Sequence, residues 1–93
     1  MTEGPDAPAA LRAVVHGRVQ GVGFRWATRE RLVALGLDGA ATNRPDGTVE
    51  VVATGPRSGV DQLVAWLRDG PTPGHVTRVD VDQDGGPGSS SAP

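Results

Sequence analysis

Apolar residues along this chain recur first at strand spacing and then at helix spacing, and each change of period marks an element. Leu11 to His16 (LRAVVH) is a short β-branched run with strand character. Gly17 to Gly23 follows, with glycine at three of seven positions, and reads as a loop. From Phe24 onward, Phe24, Thr28, Leu32 and Leu35 stand at spacings of 4, 4 and 3. They share one helical face, and Gly36 occupies the usual stop position. Leu37 to Arg44 and Thr48 to Thr54 flank Pro45-Asp46-Gly47, whose fixed φ, side-chain acceptor and positive-φ residue suit a tight antiparallel turn. Ser58 with Asp61 resembles a capping box, and Val60, Leu63, Val64 and Leu67 form a second helical stripe that stops at Gly70. Val76 to Val81 alternates imperfectly and is expected to be a final strand.

The order is therefore βαββαβ, which predicts an α+β fold: a ferredoxin-like βαββαβ sandwich, an antiparallel sheet with two helices on one face. In that arrangement the first and second strands run parallel with the third between them, so their carboxyl ends meet at one edge of the sheet. The ends of the chain differ in composition from the middle. Residues 1–10 hold Gly4, Pro5 and Pro8, and 83–93 contain only Gly, Pro, Ser, Ala, Gln and Asp. Such segments bury too little apolar surface to offset chain entropy, so both are expected to be disordered and 11–82 to be the folded unit.

Charge and composition then remove function classes. The 93 residues carry 9 basic and 11 acidic side chains, a net charge of -2, which is no footprint for a polyanion. Nucleic acid and anionic membrane are not expected partners. An RNA-binding βαββαβ domain would display aromatics on its central strands, whereas Phe24, Trp26 and Trp66 all fall in the helices. Without cysteine there is no disulfide, thiolate nucleophile or Cys-based metal site. His16 and His75 lack ligand spacing, so no metal and no cofactor are expected. No apolar run approaches the ~18 residues of a membrane span, and the N-terminus has no leader character, so a cytoplasmic protein is expected.

The chemistry concentrates in Gly17-Arg18-Val19-Gln20-Gly21-Val22-Gly23-Phe24-Arg25. This segment joins a strand to a helix N-terminus, where free backbone N–H groups and the helix dipole favour an anion. Glycines at 17, 21 and 23 permit close backbone approach to a ligand, and no Ser, Thr, Asp or Asn caps the helix. Arg25 lies in the first turn, where its planar fork can meet the same anion. The segment is neither a Walker A loop nor a dinucleotide fingerprint. As a local pattern it leaves open both a structural glycine turn and an anion site.

The full string GRVQGVGFR at 17–25 resembles the signature of the acylphosphatase family. The likeness continues through Leu35-Gly36-Leu37, Gly39, Asn43, Asp46-Gly47, Gly55-Pro56 and Gly70-Pro71, spanning about residues 13–82. The resemblance implies hydrolysis of the carboxyl-phosphate bond of acyl phosphates to carboxylate and inorganic phosphate, without metal. It implies that the backbone of Arg18, Val19, Gln20, Gly21, Val22, Gly23 and Phe24 cradles the phosphate, that Arg25 binds it, and that Asn43 orients the attacking water. Inorganic phosphate is then both product and competitive inhibitor, and a monomer is the default expectation. The chain departs from the family pattern at Ala40, Ala41 and Thr42, where an aromatic and a β-branched residue are common, and at 83–93, which could not form the usual further edge strand.

That chemistry suits the residues present. The leaving group is a carboxylate, stable as an anion at neutral pH, so no general acid is required and the absence of an acid–base pair is expected. What the reaction does require is placement and charge: the phosphoryl group held, its oxygens stabilised and a water set in line. Each residue also has a plainer reading. Arg25 could be an exposed helical arginine, and Asn43 could simply begin the turn before Pro45. His16 reads as a strand-end residue despite a pKa range suited to a base. Trp26 and Trp66 read as packing or half-exposed helix residues, and Arg18 as an exposed loop charge. The alternative function is a noncatalytic sensor that keeps the anion loop but turns nothing over. The sequence names no acyl-specific pocket.

Overall fold

The computed structural model describes residues 7–84. Six elements follow in order: β1 (Pro8–Arg18), α1 (Phe24–Ala34), β2 (Asp38–Asn43), β3 (Val49–Pro56), α2 (Arg57–Asp69) and β4 (His75–Asp84). The four strands form one sheet in the order β2-β3-β1-β4. Every neighbouring pair is antiparallel. This is the ferredoxin-like sandwich expected from the element order. Because β3 lies between β1 and β2, those two strands point the same way and end at the same edge.

Alternation along β1 puts Ala9, Leu11, Ala13 and Val15 on the buried face, where Val49, Val51 and Ala53 of β3 and Ala41 of β2 join them. The helices cover that face. Helix α1 contributes Phe24, Thr28 and Leu32, three of the four positions that share its apolar stripe. Helix α2 contributes Gly59, Val60, Leu63, Trp66 and Leu67. Phe24 and Trp66 stack with ring centroids 6.1 Å apart, joining the two helices through aromatic contact. Thr28 is a polar residue buried in the core, and its hydroxyl donates back to the Phe24 carbonyl at 2.8 Å, so it is buried at little cost. The outer face of the sheet is ionic: Arg12 pairs with Glu50, and Asp80 with both His16 and Arg78.

Three expectations are refined. Strand β1 runs through Gly17 and Arg18, which pair with β4, so the connecting loop is shorter than the glycine pattern implied. Helix α2 begins at Arg57 with Pro56, which has no side-chain capping hydrogen bond, in the N-cap position, and not at a Ser58–Asp61 capping box. Its start is set by Pro56, whose φ of -58° makes the turn from the end of β3 directly into the helix. The imperfect alternation of β4 comes from a bulge. Pairing jumps from His16↔Arg78 to Gly17↔Val76, so Thr77 is skipped and the phase of the strand flips. Val79 and Val81 on one side of the bulge and Val76 on the other then pack against the same core.

The strands also reach beyond Leu11 and Asp82, with Pro8–Ala10 paired to Pro56–Thr54 and Ala10 to Asp84. The rest of the two terminal segments, 1–6 and 85–93, and with it the expected lack of a further edge strand, lies outside the described residues.

Candidate active site

The bulge is also where the site begins. Gly17 sits at φ 126°, and a Cβ there would come within 2.1 Å of the His75 carbonyl oxygen, so only glycine lets β1 and β4 close at this point. Beyond Arg18 the chain turns through residues 19–23. The turn is anchored by Val19, whose side chain is 1% exposed, and enters α1 through Gly23, which takes a left-handed conformation as the N-cap (φ 88°, ψ 9°). No side chain caps the helix and no acidic residue lies in its first turn. The first helical hydrogen bond runs from the Ala27 amide to the Gly23 carbonyl. The amides of the first turn of α1 therefore have no partner within the helix, as at any helix N-terminus.

Those amides border a pocket of about 160 Å³ lined by Val19, Gly21, Gly23, Phe24, Arg25, Trp26, Arg29 and Asn43. The pocket is electropositive for three reasons. Two arginines one helical turn apart line it, it opens onto a helix N-terminus, and among the described residues no carboxylate lines it. Asn43 arrives from a different part of the sequence. It is the last residue of β2, opposite Val49 of β3, and it reaches the pocket because β2 ends at the same sheet edge as β1. Of the residues singled out in the sequence, Val19, Gly21, Gly23, Phe24, Arg25 and Asn43 line this pocket. Arg18, Gln20 and Val22 do not. Arg18 lies opposite His75 at the end of β1, and Val22 is 39% exposed.

Gln20 has a role that its place in the motif did not reveal. Its side-chain amide donates to the carbonyl oxygens of Arg44 and Thr48, both at 2.8 Å. These two residues close the β2–β3 turn on each other, Arg44 N–H to Thr48 O at 2.9 Å. Gln20 thus ties the glycine loop to the base of the turn that follows Asn43. The turn is stiffened from within by Asp46, whose Oδ1 accepts from the Thr48 hydroxyl at 2.6 Å and the Thr48 amide at 3.0 Å. The hydrogen bond from the Thr48 hydroxyl, followed by that from its amide, holds the Asp46 carboxyl below its ordinary value.

The two tryptophans divide. Trp66 is packed, with the Arg31 guanidinium 5.0 Å from its ring centroid and its indole N–H donating to the Pro71 carbonyl at 2.9 Å. Trp26 is 64% exposed at the mouth of the pocket. The signal for this was present: two residues past Phe24 on a helix is a rotation of about 200°, away from the buried stripe. His16 hydrogen-bonds Asp80 at 3.0 Å and does not line the pocket. Among the described residues no group of three or more His, Asp or Glu is placed to hold a metal ion, and no helix is long and apolar enough to cross a membrane.

Known proteins resemble this chain in sequence and in fold. Residues 11–91 match the model of the acylphosphatase family. An acylphosphatase of Mycolicibacterium vanbaalenii is 54% identical over 77 residues, covering 83% of each chain. One of Saccharopolyspora erythraea is 59% identical over 71 residues, covering 76% of this chain and 75% of the relative. The solved structure of an acylphosphatase from Coxiella burnetii superposes with a TM-score of 0.75 at 35% identity, covering 83% of this chain and 81% of that one.

Proposed function

The chain belongs to the acylphosphatase family, an enzyme family that hydrolyses acyl phosphates, and from that premise we propose how its pocket performs the reaction. The phosphoryl group lies in the pocket at the start of α1. The amides of the glycine turn and the Arg25 guanidinium hold its oxygens, and Arg25 offers two parallel N–H donors to them. Asn43 faces this group across the pocket and hydrogen-bonds the attacking water, setting it in line with the leaving oxygen. Water oxygen bonds to phosphorus as the bond from phosphorus to the acyl oxygen breaks, and the acyl group departs as a carboxylate that needs no protonation. Asn43 carries no charge and cannot deprotonate the water, so the proton passes to a phosphoryl oxygen. That among the described residues neither a carboxylate nor an imidazole lines the pocket supports this route.

The observation that carries the proposal is the convergence of Gly21, Gly23, Arg25 and Asn43 on one electropositive pocket. The same pocket favours inorganic phosphate as a competitive inhibitor, since the product retains the oxygens that the amides and Arg25 recognise. We further propose that the chain acts as a cytoplasmic monomer; the ion pairs on the outer face of its sheet support the monomer.

Turnover of benzoyl phosphate, phosphate inhibition and melting temperature, measured together, test the roles. Arg25→Ala should weaken phosphate inhibition and lower the rate by about 10²-fold or more. Asn43→Ala should lower kcat to a similar degree and leave phosphate inhibition and melting nearly as they were. A chelator should change nothing. If Asn43→Ala keeps its kcat and loses about 1 kcal/mol of stability, Asn43 is a turn residue and the water-positioning role is wrong. A wild-type chain that binds phosphate but hydrolyses no acyl phosphate would be a sensor.

A further inference from the structure

The proposed chemistry uses Arg25, Asn43 and the loop amides, and leaves two residues of the pocket lining without a role: Trp26 and Arg29. Both also line a second, shallower concavity of about 440 Å³ on the outer side of α1, whose remaining walls are Glu30, Val33 and Ala34. The phosphoryl pocket and this groove therefore share a border, and Trp26 with Arg29 forms it. Two large apolar side chains of α1 stand exposed here, Trp26 at 64% and Val33 at 80%. A substrate whose phosphoryl group is held at the start of α1 must extend its acyl group out of the small pocket, and this groove adjoins it at Trp26 and Arg29.

We propose that Trp26 is the acyl-binding residue of the site, its ring forming a platform that favours acyl phosphates with an aromatic acyl group. The proposal rests on the acyl phosphate reading given above and adds the substrate class to it. Two features favour an aromatic occupant over a charged one. Trp26 presents a large ring at little entropic cost, and aromatic pairs gain from ring-to-ring geometry beyond simple burial. Arg29 and Glu30 bring opposite charges to the same groove, so a charged acyl chain gains from one what it loses to the other. Arg29, at the border, also lies where the carboxylate leaves, but discrimination between acyl groups falls to the ring.

The experiment compares kcat/KM for benzoyl phosphate and acetyl phosphate in the wild-type chain, Trp26→Ala and Trp26→Phe. Intrinsic differences between the two substrates cancel when each variant's benzoyl-to-acetyl ratio is divided by that of the wild type. The side chain is mostly exposed, so the variants should fold, and melting temperature verifies this. Trp26→Ala should lower the ratio about tenfold, equivalent to about 1.4 kcal/mol, and the loss should appear chiefly in KM for benzoyl phosphate. Trp26→Phe should recover most of it. A ratio unchanged in Trp26→Ala, or an equal loss for both substrates, overturns the platform while leaving the hydrolase reading intact. Failure of the wild-type chain to hydrolyse either substrate overturns that underlying reading, and the platform with it.

Discussion

Replacing Gln20 by methionine keeps the length and volume of the side chain and removes both donors. In the native chain those donors reach Arg44 O and Thr48 O at 2.8 Å each, and neither carbonyl depends on Gln20 alone. Arg44 O also accepts from the Gly47 amide at 3.1 Å, and Thr48 O from the Arg44 amide at 2.9 Å. No acceptor is left orphaned, so the cost is the net worth of two hydrogen bonds, about 1 kcal/mol each. A loss of about 2 kcal/mol in a domain of this size lowers Tm by roughly 8–16 °C. The kinetic consequence is more specific. Gln20 ties the turn that follows Asn43 to the glycine loop, so on the proposed mechanism loosening it should displace the water and spare the amides and Arg25. At a temperature well below the variant's Tm, kcat should fall on the order of tenfold, while the phosphate inhibition constant changes by no more than about threefold. Steady-state kinetics with phosphate as inhibitor and thermal melting by circular dichroism read all three quantities. A variant with wild-type kcat, or one that loses kcat and phosphate affinity in equal measure, refutes the view that Gln20 positions Asn43.

Two further outcomes follow from the same geometry. Gly17→Ala places a methyl group 2.1 Å from the His75 carbonyl at a φ of 126°, so it should cost about 3 kcal/mol or more and open the β1–β4 bulge, visible as a large drop in Tm. Asp46, held down by the hydroxyl and amide of Thr48, and Asp80, held down first by His16 and then by Arg78, both sit below their ordinary value of 3.8 in the folded chain. Depressed carboxyl groups stabilise the fold above the pKa they have when unfolded and lose that contribution as pH falls through the folded value. Melting temperature should thus hold steady above about pH 5 and decline below about pH 4. In Asp46→Asn that acid decline should be shallower, and an unchanged profile would show that the Asp46–Thr48 pair does not stabilise the turn.

What was legible in the sequence is what nearby residues determine. The α1 stripe at Phe24, Thr28 and Leu32 is buried as its spacing requires, and the glycines of the 17–25 segment mark the turn into an uncapped helix. Where a feature depends on a distant strand, the sequence was silent or misleading. The phase of β4 breaks at Thr77 because Gly17, sixty residues earlier in the chain, forces a bulge there. Ser58 and Asp61 had the form of a capping box, yet Pro56 had already turned the chain into the helix. Gln20 bonds main-chain carbonyls, and since every residue has one, no pattern of side chains could have named its partners. The site itself divides along this line. The amides and Arg25 come from one continuous motif, but Asn43 joins them only because β3 separates two parallel strands that end at one edge. In the mechanism proposed above, the placement of the water therefore depends on the topology of the sheet, and its fine adjustment on a side chain, Gln20, whose contacts only the folded chain reveals.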